Sequence, residues 1–174
     1  MSEATLGRHP APLAPSAPAL ARLIALLLPL ALLGGALGSE YLGGLVPCEM
    51  CYWQRWPHAA AIVLAGLAFT DTAASGRARA LTLLAALAIA VSGAIGVYHA
   101  GVELGIFQGL TTCATTASGA SNTELLDRIM KTPLVRCDQV QFAFLGISMA
   151  GWNAILSLGG AAVIAWLVLK GRTP

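Results

Sequence analysis

The chain has 174 residues, of which 57% are hydrophobic and only 10% charged, with a mean hydropathy of +0.75. Soluble domains average about 25% charged residues, so this composition excludes an ordinary soluble domain and points to a membrane protein. A formal net charge of +2 is too small to suggest nucleic-acid binding.

Residues Met1 to Pro18 are rich in Ala and Pro, which disfavours both helix and sheet, and read as a disordered tail (1–18) ahead of a membrane domain (19–174). The first apolar segment runs from about Leu20 to Gly38, interrupted only by Arg22 near its start, where a long side chain can snorkel. Its length is close to the ~20 residues that span a bilayer. A cleaved signal peptide competes, since small residues stand at Gly34, Ala36 and Gly38. The length of the apolar run and the three apolar segments behind it favour a retained helix.

The stretch Pro47-Cys48-Glu49-Met50-Cys51-Tyr52-Trp53-Gln54-Arg55-Trp56 comes next. A C-x-x-C pair can cycle between dithiol and disulfide by thiolate exchange. Placed at a helix start, it lies where free backbone N–H groups and the dipole favour a thiolate. Arg55 is four residues after Cys51, on the same helical face, where its charge supports that thiolate. Glu49, between the cysteines, opposes it. A charge inside an apolar segment is by default a functional residue, though Arg55 is near enough to the helix end to snorkel instead. The three rings of Tyr52, Trp53 and Trp56 suit the membrane–water boundary. The second segment then continues to about Thr70, with His58 and Pro57 in its first turns.

Asp71 to Arg79 read as a short polar loop, and the third segment runs from about Ala80 to Ala100, ending in Val97-Tyr98-His99. A lone histidine there is more often structural than functional. One long polar stretch follows, Gly101 to Gln141. Within it Ser121-Asn122-Thr123-Glu124 resembles a capping box ahead of Leu125, Leu126, Ile129 and Met130, a short amphipathic helix closed by Pro133. The fourth segment runs from about Phe142 to Leu169, before Lys170 and Arg172. Backbone groups in lipid must be paired within a segment, so all four read as helices (about 20–38, 51–70, 80–100 and 142–169). The fold class is all-α: a four-helix transmembrane bundle with one long external loop (101–141).

Four spans put both termini on one side. Arg8, Arg22, Arg77, Arg79, Lys170 and Arg172 share that side, and Arg55, Arg128, Lys131 and Arg136 the other, which makes the termini cytoplasmic. Cys48, Cys51, Cys113 and Cys137 then all fall outside, where disulfides persist. Cys113 is flanked by small polar residues, Thr111, Thr112, Thr115 and Thr116, as an accessible exchange site requires. The alternatives are static disulfides, a Cu(I) site built from Cys48, Cys51, Met50 and His58, or a structural four-span adaptor. Zinc held by all four cysteines fits poorly, because Cys113 and Cys137 are 137 − 113 = 24 positions apart.

In order and spacing, Pro47-Cys48-x-x-Cys51 followed by Arg55, then Tyr98-His99, Cys113, Cys137-Asp138, Phe144-Leu145-Gly146, Met149 and Trp152 resemble the DsbB family of disulfide bond formation proteins. The likeness covers all four segments and both cysteine pairs. It implies a bacterial inner-membrane enzyme that reoxidises a periplasmic thioredoxin-like oxidase (DsbA-like) using ubiquinone or menaquinone. A relative dedicated to one special oxidase is the nearest alternative. By the resemblance, Cys113 forms the mixed disulfide with the partner and Cys137 resolves it. Cys48 and Cys51 take the electrons, with Cys51, Arg55 and His99 beside the quinone. The chain departs from better-known members in having no aromatic residue between Cys113 and Cys137, which bears on partner docking rather than on exchange chemistry.

Overall fold

The structure, a computed structural model, describes residues 15–109 and 135–171. Four long helices account for most of them: α1 (Ala17–Tyr41), α2 (Glu49–Ala68), α3 (Gly76–Glu103) and α4 (Met149–Lys170). Cys113 and the expected amphipathic loop helix lie outside the described residues, as does most of the N-terminal tail.

The helices form a closed ring. α2 packs against α1 and α3, α4 packs against α3 and α1, and of the two diagonals α1–α3 touches more than α2–α4. Small residues dominate the centre: Ala21, Ala25, Ala61, Ala65, Ala85, Ala86 and Ala161 surround Ile89, Ile164, Leu167 and Val168. In a bilayer there is no hydrophobic drive between helices, so close backbone approach through small side chains supplies the packing. Gly93 and Gly96 do this between α3 and α4. A Cβ on Gly93 would stand 2.9 Å from Leu158, and one on Gly96 would stand 3.0 Å from the Ala150 carbonyl.

α1, α3 and α4 are each long and apolar enough to cross a membrane. α2 has 20 residues but carries Glu49, Gln54, Arg55 and His58 in its first half. Each helix but α1 has a side-chain N-cap: the Cys48 sulfur, Ser75 and Ser148 accept from Cys51, Ala78 and Gly151 backbone N–H groups.

Two expected boundaries move. α3 begins at Gly76, because Ser75 caps it, so Arg77 and Arg79 belong to its first turn and not to a loop. The stretch before α4 is not helical. Ala143–Phe144 pairs antiparallel with Ile147–Ser148 as strands β1 and β2. Leu145 and Gly146 between them both have positive φ, 53° and 79°, the turn that a two-residue hairpin demands and that no α-helix can contain. Ser148 then caps α4, and Trp152 Nε1 donates to the Phe144 carbonyl at 3.0 Å, fixing the hairpin over the helix start.

The basic residues at one end of the ring are tied to helix ends. Arg22 donates to the Ala68 and Asp71 carbonyls at 3.1 and 2.8 Å and stacks on Phe69, in place of snorkelling outward. Arg79 donates to the Gly171 carbonyl at 3.0 Å.

Gly96→Val is expected to force α3 and α4 apart and to cost about 1–3 kcal/mol, the usual penalty of overpacking. Gly34→Ala, with nothing within 4 Å of the added carbon, should be neutral. Thermal unfolding of the two purified variants in detergent checks the contrast.

Candidate functional site

The site lies at the end of the bundle opposite Arg22 and Arg79, where α2 begins and α3 ends. Cys48 is buried at the N-cap of α2 and Cys51 is half-buried one turn on, with their sulfurs 2.9 Å apart. The Cys51 backbone N–H donates to Cys48 Sγ at 3.3 Å. The hydrogen bond to the Cys51 sulfur, reinforced by burial, pushes the Cys48 thiol up well beyond the ordinary thiol range. In that contact either sulfur can be the donor. Glu49, expected to oppose a thiolate, points to the exterior.

Cys137 is brought in from the far side of the long loop. It is buried in one cluster with Cys48, Met50 and Val102, with Tyr98 and Val135 packed against it. Next to it, Arg136 Nε donates to Asp138 at 2.9 Å, and this bond holds the Asp138 carboxyl below its usual range.

His99 is 3% exposed and is held on both ring nitrogens. Gln54 Nε2 contacts Nδ1 at 2.8 Å, while Nε2 faces Cys48 Sγ at 3.6 Å. The Cys137 backbone is hydrogen-bonded to the same ring. Glu103, one turn on in α3, places Oε1 3.9 Å from Nε2. So the sequence-predicted His99 is at the site, but against Cys48 and Cys137.

Arg55 has a further partner besides the Cys51 sulfur that the helical spacing suggested. Its guanidinium is ion-paired with Glu40 of α1, donates to the Ala36 carbonyl at 3.2 Å and covers the Tyr52 ring. Glu40 escaped the sequence reading. The available signal was an acidic residue at the end of an otherwise acid-free apolar helix, which must find a cation or reach water.

Behind the cysteines runs a polar ladder that the sequence reading also missed. Asn153 of α4 donates to the Gln54 side-chain oxygen at 2.7 Å and to the Ser92 carbonyl at 3.2 Å. His58 contacts Asn153 Oδ1 and Ser92 Oγ, both at 2.9 Å. Ser92 donates to the Gln54 carbonyl at 2.8 Å. His58 is thus a member of the ladder and not of a copper set with the cysteines. The donor atoms of Cys48, Cys51 and His99 do lie within 4.8 Å of one another. However, an amide nitrogen on Nδ1 leaves the proton on Nε2, so His99 would have to surrender it to bind a metal there.

A cavity of about 630 Å³ opens beside the pair. Its walls are largely apolar, from α1 (Leu32, Ala36) and from Phe142, Phe144 and Trp152, and Cys51, Gln54, Arg55 and His99 edge it. A dithiol at the mouth of an apolar chamber, with a guanidinium on its rim, suits a flat, lipid-soluble, redox-active ligand.

The fold and site define a helical membrane protein carrying a buried cysteine pair next to a third cysteine. The chain belongs to the DsbB family: the model of disulfide bond formation protein DsbB matches residues 18–167. Disulfide bond formation protein B of Hahella chejuensis is 31% identical over 146 residues, covering 78% of this chain and 86% of that protein. Its counterpart in Xanthomonas campestris pv. campestris (strain 8004) is 29% identical over 136 residues, 75% and 78% of the two chains. An uncharacterised Rickettsia prowazekii protein is 25% identical over 123 residues, 69% and 70%. No solved structure matches.

Glu40→Ala leaves the Arg55 charge buried without its counter-ion and should destabilise the protein by about 3–5 kcal/mol. The double variant with Arg55→Ala should recover much of that loss, because no uncompensated charge remains. Unfolding midpoints of the two variants in one detergent decide it.

Proposed function

We propose that this protein is a four-span thiol:quinone oxidoreductase of the bacterial inner membrane. It reoxidises a DsbA-like periplasmic oxidase and delivers the electron pair to a membrane quinone. One observation carries the reading: the C-x-x-C pair lies between a third cysteine and an apolar cavity. Cys48 is buried in one cluster with Cys137, Cys51 packs against that cluster, and both Cys48 and Cys51 line the cavity. Family membership and the names of the Hahella and Xanthomonas relatives support disulfide generation.

The chemistry runs as thiolate exchange. At each step one S–S bond forms, one breaks, and the electron pair leaves on the released sulfur. The partner's thiolate attacks Cys113 of a Cys113–Cys137 disulfide, so the mixed disulfide forms on Cys113 while the partner's two electrons leave on Cys137. The partner's second thiolate then closes the partner's own disulfide and releases Cys113. Cys137 passes its electron pair to Cys48 across their shared cluster, and the pair leaves through Cys51 as the Cys48–Cys51 disulfide closes. A quinone in the cavity supplies a two-electron, two-proton sink. The residues that would hold it are Arg55, Cys51 and the aromatic wall, with His99 behind Cys48. Arg55, held by Glu40 and Ala36 at the cavity, would offer a positioned charge to a quinone bound there.

In the proposed topology both termini are cytoplasmic, all four cysteines are periplasmic and α2 is the fourth span. Two polar residues of its first half, Gln54 and His58, are buried in the ring. Impermeant thiol reagents should label the reduced cysteines in intact spheroplasts. Labelling only after membrane disruption would contradict this arrangement.

Purified protein should reduce quinone when given a reduced thioredoxin-like partner. Cys137→Ser should accumulate a covalent complex through Cys113, and Arg55→Ala should weaken apparent quinone affinity or turnover, with Arg55→Lys intermediate. Partner trapping at Cys48 in place of Cys113 would reverse the relay, and Arg55→Ala with wild-type quinone kinetics would reduce Arg55 to an interfacial anchor.

A further inference from the structure

Two N–H groups converge on Cys48 Sγ: the Cys51 backbone N–H at 3.3 Å and His99 Nε2 at 3.6 Å. Whether the second can donate depends on which ring nitrogen holds the proton, and the surrounding hydrogen bonds decide this. Gln54 Nε2 donates to the Met50 carbonyl at 3.1 Å, so that atom is the amide nitrogen. The other end agrees, since the Gln54 oxygen accepts from Asn153 Nδ2, which is itself identified as nitrogen by its bond to the Ser92 carbonyl. An amide nitrogen can only donate, so His99 Nδ1 is the acceptor and the proton of the neutral ring sits on Nε2. That N–H faces Cys48 Sγ and is shared with the Cys137 carbonyl, which accepts from the ring. Glu103 Oε1, at 3.9 Å, is beyond hydrogen-bond reach.

We propose that the Cys51 N–H and His99 Nε2–H form a two-donor cradle for the Cys48 thiolate as it leaves, and that Gln54 is the positioning residue that keeps the His99 proton on Nε2. The proposal rests on the relay above and adds a residue to it. When Cys113 attacks Cys137 within a Cys48–Cys137 disulfide, the Cys113–Cys137 bond forms and the bond to Cys48 breaks. The electron pair goes to Cys48 Sγ, and no proton moves in that step. The sulfur is then an anion that is 3% exposed, packed with Met50 and Val102 at the edge of the apolar cavity. Leaving-group stability governs the rate of exchange, so donors already aimed at the sulfur count most where burial limits solvent. The N-cap position adds the positive end of α2 to the same atom.

The test is the tautomer of His99 and its link to exchange rate. Protein labelled with ¹⁵N-histidine, with His99 assigned by its loss in His99→Gln, should show His99 as the Nε2–H tautomer in two-bond ¹H–¹⁵N spectra. Gln54→Leu should redistribute the ring toward Nδ1–H. In a Cys51→Ser background, where closure onto Cys51 is blocked, acid-quenched gels follow resolution of the Cys48–Cys137 disulfide. Gln54→Leu should slow it by about tenfold, the worth of one hydrogen bond to a charged group. Asn153→Leu perturbs the same ladder but leaves Met50 to orient the amide, and should keep both the tautomer and most of the rate. A wild-type Nδ1–H ring, or a Gln54→Leu variant that changes tautomer without slowing resolution, overturns the proposal. Equal slowing in Asn153→Leu without a tautomer change would also overturn it, by showing that packing alone sets the rate. Failure of the wild-type protein to reduce quinone would overturn the relay instead and leaves the tautomer measurement standing.

Discussion

A polar side chain inside a bilayer must find its partners in the protein, because lipid offers none. Gln54 is where this constraint is felt most. It is buried in α2, and its amide reaches the Met50 carbonyl on its own helix, His99 on α3 and Asn153 on α4. One side chain therefore ties three helices at the level just below the cysteines. With Ser92, His58 and Ser157 it forms a ladder in which, among the described residues, only His58 Nδ1 is without a hydrogen-bond partner. The more fully such a network is satisfied, the more strongly it favours one arrangement of the helices.

The ladder can close because α3 and α4 approach so nearly. Gly93 and Gly96 let the α4 backbone and Asn153 lie against α3; Asn153 Nδ2 is 3.2 Å from where a Gly96 Cβ would stand. Small-residue packing and polar satisfaction are here one device. The glycines set the spacing, and the amides set the register. The end of α3 is thereby fixed next to the start of α2, which puts His99 against the N-cap sulfur.

Arg55 shows how a charge is kept at such a place. Its ion pair with Glu40 and its bond to Ala36 join the end of α1 to the first turns of α2, on the rim of the cavity. Both side chains are largely buried, 14% and 17% exposed. A pair of this kind contributes less net stability than its geometry suggests, since desolvation opposes attraction. What it does secure is position: the guanidinium cannot leave the rim without exposing two unpaired charges.

The sequence by itself determined the class of the protein. Long apolar runs specify helices because lipid forbids unpaired backbone, and α1, α3 and α4 run through the segments so assigned. The C-x-x-C spacing specified a pair one turn apart at a helix start, which is a local property of the chain. Local pattern also misled where a short-range signal competed with hydropathy. Phe142 to Ser148 is apolar enough for a helix, but Leu145-Gly146 turns it into a hairpin, and Ser75 starts α3 before its apolar run begins. Only the tertiary structure decided who meets whom. Glu40 lies 15 residues from Arg55, Gln54 lies 45 from His99 and 99 from Asn153, and Cys137 reaches Cys48 across a loop. No periodicity encodes such pairings, because each depends on the closed ring of helices bringing distant polar groups to the same depth.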